Sequence, residues 1–291
     1  MNDTIGYIPS AVNIGIVKAG TKGFLIDTGI DNNAMNKALK EVPFEVNGAI
    51  ITHHHADHMG GAAKLSSLGI TNIYGPKGEV ELIKDPMRGI PYSMFGGAAP
   101  PKELRNRYLE ARSCVVLPAT ETTFEKTINY IDTPGHSLSH AAYIIDDVLF
   151  GGDAVFTDET LGKYNLLYVV DPKKAIASLE ELAKKEFSAL IPGHGTATED
   201  RKSSLDKIQA TKEHYEQTGE KILGLIGEQM DYKEYPKRIM EELEVEETLK
   251  ARGVTQYFLF QTSIMAYLSN LLDEKKVKLE LEGYELKIQS V

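Results

Sequence analysis

Thr52-His53-His54-His55-Ala56-Asp57-His58 decides how this chain is read. It follows the apolar run Gly48 to Thr52, which reads as a short β-strand. Along an extended stretch side chains alternate, so His53 and His55 point to one side and His54 to the other. A turn into a helix at that point carries Asp57 and His58 toward a second, nearby position. Imidazole and carboxylate donors in this density suit zinc, iron or manganese. Runs of three histidines also occur in purification tags. This run, however, is internal, follows an apolar strand and continues into Asp57-His58.

Outward from this segment, four more polar motifs stand at the ends of predicted strands. They are Asp27-Thr28-Gly29, Thr133-Pro134-Gly135-His136, Gly151-Gly152-Asp153 and Ile191-Pro192-Gly193-His194. Taken singly, a Pro-Gly-His is an ordinary turn, and a lone histidine more often packs or faces solvent than ligates. Turn chemistry alone does not explain all of them in one chain, each after a strand. Two divalent cations about 3.5–4 Å apart can hold a hydroxide between them and clamp an attack. Such close cations need a shared ligand, and a carboxylate such as Asp153 has two oxygens for it. His136 and His194 then complete two ligand sets.

The strands that carry these motifs alternate with helices, which predicts α/β layers. Val12 to Val17 and Gly23 to Asp27 read as strands joined by a hairpin turn. Asn32 to Lys40 reads as a helix capped by Asp31, and Gly60 to Leu68 as another. Further strands are expected at Thr71 to Tyr74, Thr127 to Asp132, Ala141 to Ile145, Val148 to Gly151 and Ala189 to Ile191, and a helix at Pro172 to Lys185. Residues 85–112 break the rhythm with a Pro- and Gly-rich insert, followed by a helical reading of Lys102 to Arg112. Its Tyr92, Met94 and Phe95 are candidates for a substrate lid; a dimer contact or a packed surface insertion is the plainer alternative.

From about Glu199 the character changes. Lys202 to Glu228, Lys233 to Leu243, Glu246 to Arg252 and Phe260 to Leu272 read as helices. Val277 to Ile288 reads as a hairpin turning at Glu282-Gly283, which gives the tail the outline of a winged helix. The expected division is therefore a catalytic domain over 1–200 and a helical C-terminal region over 201–291.

Composition narrows the function. The 291 residues carry a net charge of -10, which repels phosphate backbones and makes nucleic acid an unexpected partner. The single cysteine, Cys114, allows no internal disulfide. The N-terminal residues lack the basic start and apolar run of a signal peptide, and no stretch approaches the roughly 18 apolar residues of a membrane span. Together these predict a cytoplasmic protein with no membrane partner. The insert and tail offer surfaces for a homodimer. His214 reads as an exposed residue of the tail.

The five motifs, in this order, resemble those of the metallo-β-lactamase superfamily over about residues 1–200. The resemblance implies a four-layer αβ/βα sandwich with metals at the sheet edges. It makes His53, His55 and His136 ligands of one ion, Asp57, His58 and His194 ligands of a second, and Asp153 the bridge. Asp27, Thr52 and His140 become residues that hold the ligands in place rather than ligands themselves. The implied activity is a dinuclear hydrolase whose metal-bound hydroxide attacks a small ester, thioester or lactone, with Asp57 orienting the hydroxide or taking its proton. The implied cofactors are two divalent cations, zinc first, with iron or manganese as alternatives.

Within the superfamily, the Thr52 to His58 segment is similar to that of glyoxalase II enzymes, but Ala154-Val155-Phe156-Thr157 departs from their pattern after the bridging Asp. Acyl-homoserine lactonases commonly place a Tyr where Phe156 stands; Tyr164 and Tyr168 are the nearby substitutes. The alternatives are a metal-dependent endoribonuclease or phosphodiesterase and a mono-iron persulfide dioxygenase. The nuclease resembles this chain in Pro192-Gly193-His194-Gly195 and in the tail. Against it, Gln261 to Leu272 contains no Lys or Arg with which to read a groove.

Overall fold

The structure is a computed structural model that describes residues 4–89, 100–120, 124, 126–227 and 229–291. The lid candidates Tyr92, Met94 and Phe95 lie outside the described residues.

Two sheets form the centre. The first contains six strands in sequential order: β1 (Ile5–Ile8), β2 (Ile14–Ala19), β3 (Lys22–Ile26), β4 (Glu45–Ile50), β5 (Ile73–Gly75) and β6 (Leu117–Pro118). β1 to β3 pair antiparallel, and β3 to β6 parallel. The second sheet has the order β10-β9-β8-β7, built from β7 (Asn129–Asp132), β8 (Ala141–Ile145), β9 (Val148–Gly152) and β10 (Ala189–Pro192).

The apolar residues of these strands explain why the sheets stack. β8 is buried at every position and divides by parity: Tyr143 and Ile145 pack between the sheets, while Ala142 and Ile144 face the helices behind. β3 divides likewise, Phe24 and Ile26 meeting the second sheet and Leu25 facing outward to helices. A strand covered on both faces carries apolar residues at both parities. The outer helical layer over the first sheet comprises α1 (Asn32–Glu41), α3 (Ala62–Ser67) and α4 (Val80–Lys84), contributing Met35, Ala38, Leu65 and Ile83. α2 is the single turn Ala56–Met59. The layer over the second sheet comprises α6 (Pro172–Ala183), α7 (Arg201–Ile226) and α9 (Glu246–Asp273), contributing Leu179, Leu182, Ile208, Tyr215, Phe260 and Ile264. α5 (Asp158–Lys163) and α8 (Tyr235–Glu242) complete these helices. The result is the four-layer αβ/βα sandwich that the motifs imply.

Several elements differ from the sequence reading. Lys102 to Arg112 is not an α-helix: a single 3-10 turn at Lys102–Leu104 is followed by turns that bond locally through Asn106. As the sequence reading expects, the helix from Glu246 ends at Gly253, whose φ of 68° and ψ of -153° are non-helical, and a second helix follows; the two are labelled together as α9, and the second begins before Phe260. The tail adds a short strand, β11 (Gln229–Asp231), to the hairpin of β12 (Val277–Glu282) and β13 (Glu285–Ser290), giving a three-stranded sheet in the order β11-β13-β12. His214, expected to be exposed, is half-buried on α7, and burial pulls its pKa down.

Candidate metal centre

Every candidate ligand follows the C-terminal end of a strand. His53 to His58 follow β4, His136 lies in the connection from β7 to β8, Asp153 comes directly after β9 and His194 follows β10. Three overlapping groups place potential donor atoms within 4.8 Å of one another: His53, His55 and His136; His53, His58 and Asp153; and Asp57, His58 and His194.

The hydrogen bonds around the rings define which nitrogen each histidine presents. His58 Nδ1 donates to Asp27 Oδ2 at 2.7 Å, His136 Nδ1 to the carbonyl of Tyr168 at 3.2 Å, and His194 Nδ1 to the carbonyl of Ala11 at 2.8 Å. Thr52 Oγ1 donates to Asp27, so its oxygen accepts from His53 Nδ1 at 3.0 Å. In His53 and His136 Nε2 is therefore left as the lone-pair nitrogen, while His58 and His194, whose pKa values the neighbouring carboxylates raise, turn Nε2 toward Asp153. The Nε2 atoms of His53 and His55 are buried without any hydrogen-bond partner, and His58 Nε2 and Asp153 Oδ1 have only each other, at 3.2 Å. His136 Nε2 lies 2.9 Å from His55 Nδ1. Two imidazole nitrogens brought that close require a proton or a cation between them. Buried polar atoms are otherwise nearly always satisfied, so these orphaned atoms suit a cation.

Asp153 lies between the two groups. Its Oδ1 is 3.2 Å from His58 Nε2, and its Oδ2 is 3.4 Å from His136 Nε2 and 3.5 Å from His194 Nε2. Asp57 Oδ2 is 3.6 Å from His194 Nε2, on the half-exposed side of the centre. Burial pushes the Asp153 carboxyl up, but His194 and His58 outweigh it and hold its pKa well below the usual range. The reverse applies to His194: burial lowers it, Asp153 and Asp57 raise it, and it ends at about 9. His53 and His55 are driven well down, chiefly by burial and then by the neighbouring imidazoles, and His136 falls to about 4, chiefly through burial. Neutral imidazole is the form that ligates.

Asp27, Thr52 and His140, expected to support the ligands, bond as follows. Asp27 takes a left-handed φ of 59°, strained for a residue with a side chain. From there its carboxylate accepts from the Thr52 amide, the Thr52 hydroxyl and His58. His140 is fully buried with both ring nitrogens engaged: Nδ1 with Thr133 Oγ1 at 2.7 Å, and Nε2 accepting from the Asp153 amide at 3.1 Å. It thus orients the carboxylate residue and has no nitrogen left to ligate.

Glycines keep the centre open. A Cβ on Gly193 would collide with Asp153 Oδ1 and lie 2.8 Å from His58 Cε1. At Gly152, φ is +51° and a Cβ would come within 2.6 Å of His140 Nε2.

Two supports were missed by the sequence reading. Asn13 bonds through Nδ2 to the carbonyls of Pro192 and Gly195, fixing the loop that carries His194. Glu79 is wholly buried just before α4. Its Oε2 accepts from the backbone and ring of His54; its Oε1 accepts from Ser137 Oγ at 2.7 Å and the Ser139 amide at 2.9 Å. One carboxylate thereby ties the loop of His53 and His55 to the loop of His136 and His140. It also gives His54, which faces away from the centre, its partner. No local pattern marks either residue, because their partners lie 25 to 182 positions away.

The comparisons agree with this geometry. The sequence model of the metallo-beta-lactamase superfamily matches residues 7–194, and the chain belongs to that family. A hydroxyacylglutathione hydrolase of Shewanella baltica (strain OS223) is 29% identical over 166 residues, 56% of this chain and 52% of that protein. One from Shewanella loihica is 29% identical over 174 residues, 59% of this chain and 56% of that protein. The chain thus spans about half the length of these relatives. Among solved structures, a metallo-beta-lactamase family protein from Thermus thermophilus superposes with a TM-score of 0.69 at 19% identity, covering 97% of each chain. A beta-lactamase domain protein from Burkholderia ambifaria gives 0.65 at 16% identity, covering 99% of this chain and 92% of that one. At these identities the likeness concerns the fold.

Proposed function

We propose that the chain is a metal-dependent hydrolase that holds two divalent cations and cleaves a small ester, thioester or lactone. The observation that carries this reading is the pair of adjacent three-donor groups with Asp153 between them. In this assignment His53, His55 and His136 hold one ion, Asp57, His58 and His194 the other, and Asp153 bridges. Zinc is the preferred metal for an imidazole-rich set, with iron and manganese as the alternatives. Two such ions, when bound, acidify a water and polarise the scissile carbonyl. The chain's own part is to fix the donors through Asp27, His140 and Glu79. Asp57, half-exposed beside His194, orients the attacking water and takes its proton.

The thioester branch is favoured by the named activity of the relatives, hydroxyacylglutathione hydrolases. A nuclease is disfavoured by the net charge of -10 and by the uncharged run Gln261 to Leu272 of α9. The reading divides the chain near residue 200, with the helical tail closing the catalytic domain. It places the enzyme in the reducing cytoplasm, consistent with a lone Cys114 thiol that burial pushes up to about 12. Among the described residues, no helix is long and apolar enough to cross a membrane.

The test is metal analysis of the purified protein beside a screen of thioesters, lactones, phosphodiesters and RNA. About two ions per chain with turnover of a carbonyl substrate are expected, and His55→Ala or Asp57→Ala should abolish turnover and lower metal content. Full activity in either variant, or cleavage of phosphodiesters alone, refutes the proposal.

A further inference from the structure

The three large apolar clusters account for the sandwich: one between the sheets and one behind each sheet. A fourth, small cluster belongs to none of them. It consists of Leu109, from the segment after the 3-10 turn, with Tyr168, Phe258 and Leu259 packed against it. Leu109 is buried, but Tyr168, Phe258 and Leu259 are each half-exposed. The Tyr168 ring lies edge-on to two candidate ligands, 5.3 Å from the His55 ring and 5.6 Å from the His136 ring. The same residue's carbonyl fixes His136. On α9, Val254 lies one turn before Phe258, and the Tyr257 ring lies edge-on to the Phe258 ring at 5.7 Å; Val254 and Tyr257 are 64% and 41% exposed. Asn106 Nδ2 bonds to Thr255 Oγ1 at 3.3 Å and holds the Leu109 segment against this face.

We propose that Leu109, Tyr168, Phe258 and Leu259, extended by Val254 and Tyr257, form the binding wall for the acyl group of the substrate, which is a medium-chain or aromatic acyl thioester or ester. The assignment rests on the carbonyl-hydrolase reading above and names the substrate class for it. The two sides of the centre differ in kind. Toward His55 and His136 the surroundings are apolar and partly covered. Toward Asp57 and His194 they are polar, both side chains being about 30% exposed. Hydrolysis breaks the acyl carbon–sulfur (or carbon–oxygen) bond, joins the acyl carbon to the oxygen of water, and leaves a thiol or alcohol that must take a proton and depart. The open polar side suits that departure, and the apolar side suits the acyl chain. Half-exposed aromatic rings beside a polar centre gain most by covering an apolar group.

The probe is a series of S-acyl N-acetylcysteamine thioesters, acetyl to octanoyl, with released thiol as the readout on the metal-loaded protein. Full burial of a methylene supplies roughly fourfold in binding, so a half-open wall gives about twofold per methylene, and octanoyl, six methylenes longer, exceeds acetyl roughly sixty-fold in kcat/KM. Phe258→Ala and Leu109→Ala each lower the octanoyl-to-acetyl ratio roughly tenfold. Leu281→Ser, on the distant hairpin, leaves the ratio unchanged. A flat chain-length series, or a ratio that survives both wall substitutions, overturns the assignment. Equal loss on all thioesters with a shift in sedimentation would instead make the patch a contact between copies of the chain. If no thioester or ester is hydrolysed, the hydrolase reading itself fails. The wall is then judged by calorimetry with octanoate and acetate: tighter octanoate binding that Phe258→Ala removes upholds it, and equal binding rejects it.

Discussion

Replacing Glu79 by Gln removes a buried carboxylate that ties the two ligand-bearing loops together. The carboxylate accepts four hydrogen bonds: two from His54 and one each from Ser137 and Ser139. Burial by itself would push its pKa up, but the bonds from His54, Ser137 and Ser139 outweigh that and bring it from 4.5 to about 2. A shift of that size corresponds to about 3 kcal/mol of stability tied to the charged form. The folded pKa lies below the unfolded one, so the contribution is complete above pH 4.5 and is lost as the pH falls toward 2. A glutamine offers one acceptor and turns its NH₂ toward groups that already donate. It therefore loses the charge and leaves donors unanswered.

The assay is urea unfolding of chelator-treated wild type and Glu79→Gln across the acid range, so that metal release does not enter the difference. At pH 7 the variant should be less stable by about 3 kcal/mol, and the gap should narrow to about 2.5 at pH 4 and about 1.5 at pH 3. Metal-loaded protein should in addition bind its ions more weakly, because the loops of His53–His55 and His136 are no longer tied. A variant as stable as wild type at pH 7, or a deficit that does not shrink on acidification, refutes the reasoning that the buried carboxylate is charged and structural.

Gly193→Ala introduces a Cβ against Asp153 and His58 at the heart of the centre; metal content should fall by about half or more while far-UV circular dichroism is retained. Asp27→Asn keeps the shape but removes the negative charge that fixes the His58 tautomer; metal affinity, measured by chelator competition, should drop roughly 10–100-fold. Unchanged affinity in Asp27→Asn would mean that the His58 ring is held by packing alone.

The ligand candidates were legible because each sits in a short contiguous motif at a strand end, where polar residues interrupt an apolar run. The layers were legible for the same reason: strands buried on both faces have no polar parity, as Ala141–Ile145 shows. What escaped the sequence was small or distant. β1, β6 and β11 have two to four residues each, too few for a period to register. The Lys102 to Arg112 segment has helix-forming residues, but Asn106 bonds locally to the backbone of Tyr108 and competes with the helix. The helix break at Gly253, by contrast, was legible, because a glycine at positive φ usually marks a helix end.

The supports follow a different rule from the ligands, and this bears on how such a centre is built. A ligand must lie near its companions on one loop or at one sheet edge, so four of the seven candidates come from six consecutive residues. A support must lie between loops, so Glu79 reaches 25 residues back to His54 and 58 and 60 residues forward to Ser137 and Ser139. Asn13 reaches 179 and 182 residues to the His194 loop. Each closes a long circuit of chain with one side chain whose bonds are buried or part-buried. Holding several donors in one small volume means placing buried charge and unpaired nitrogens together. The energy that holds them there comes from these distant, fully satisfied polar groups and from the covered sheets, rather than from the motif itself.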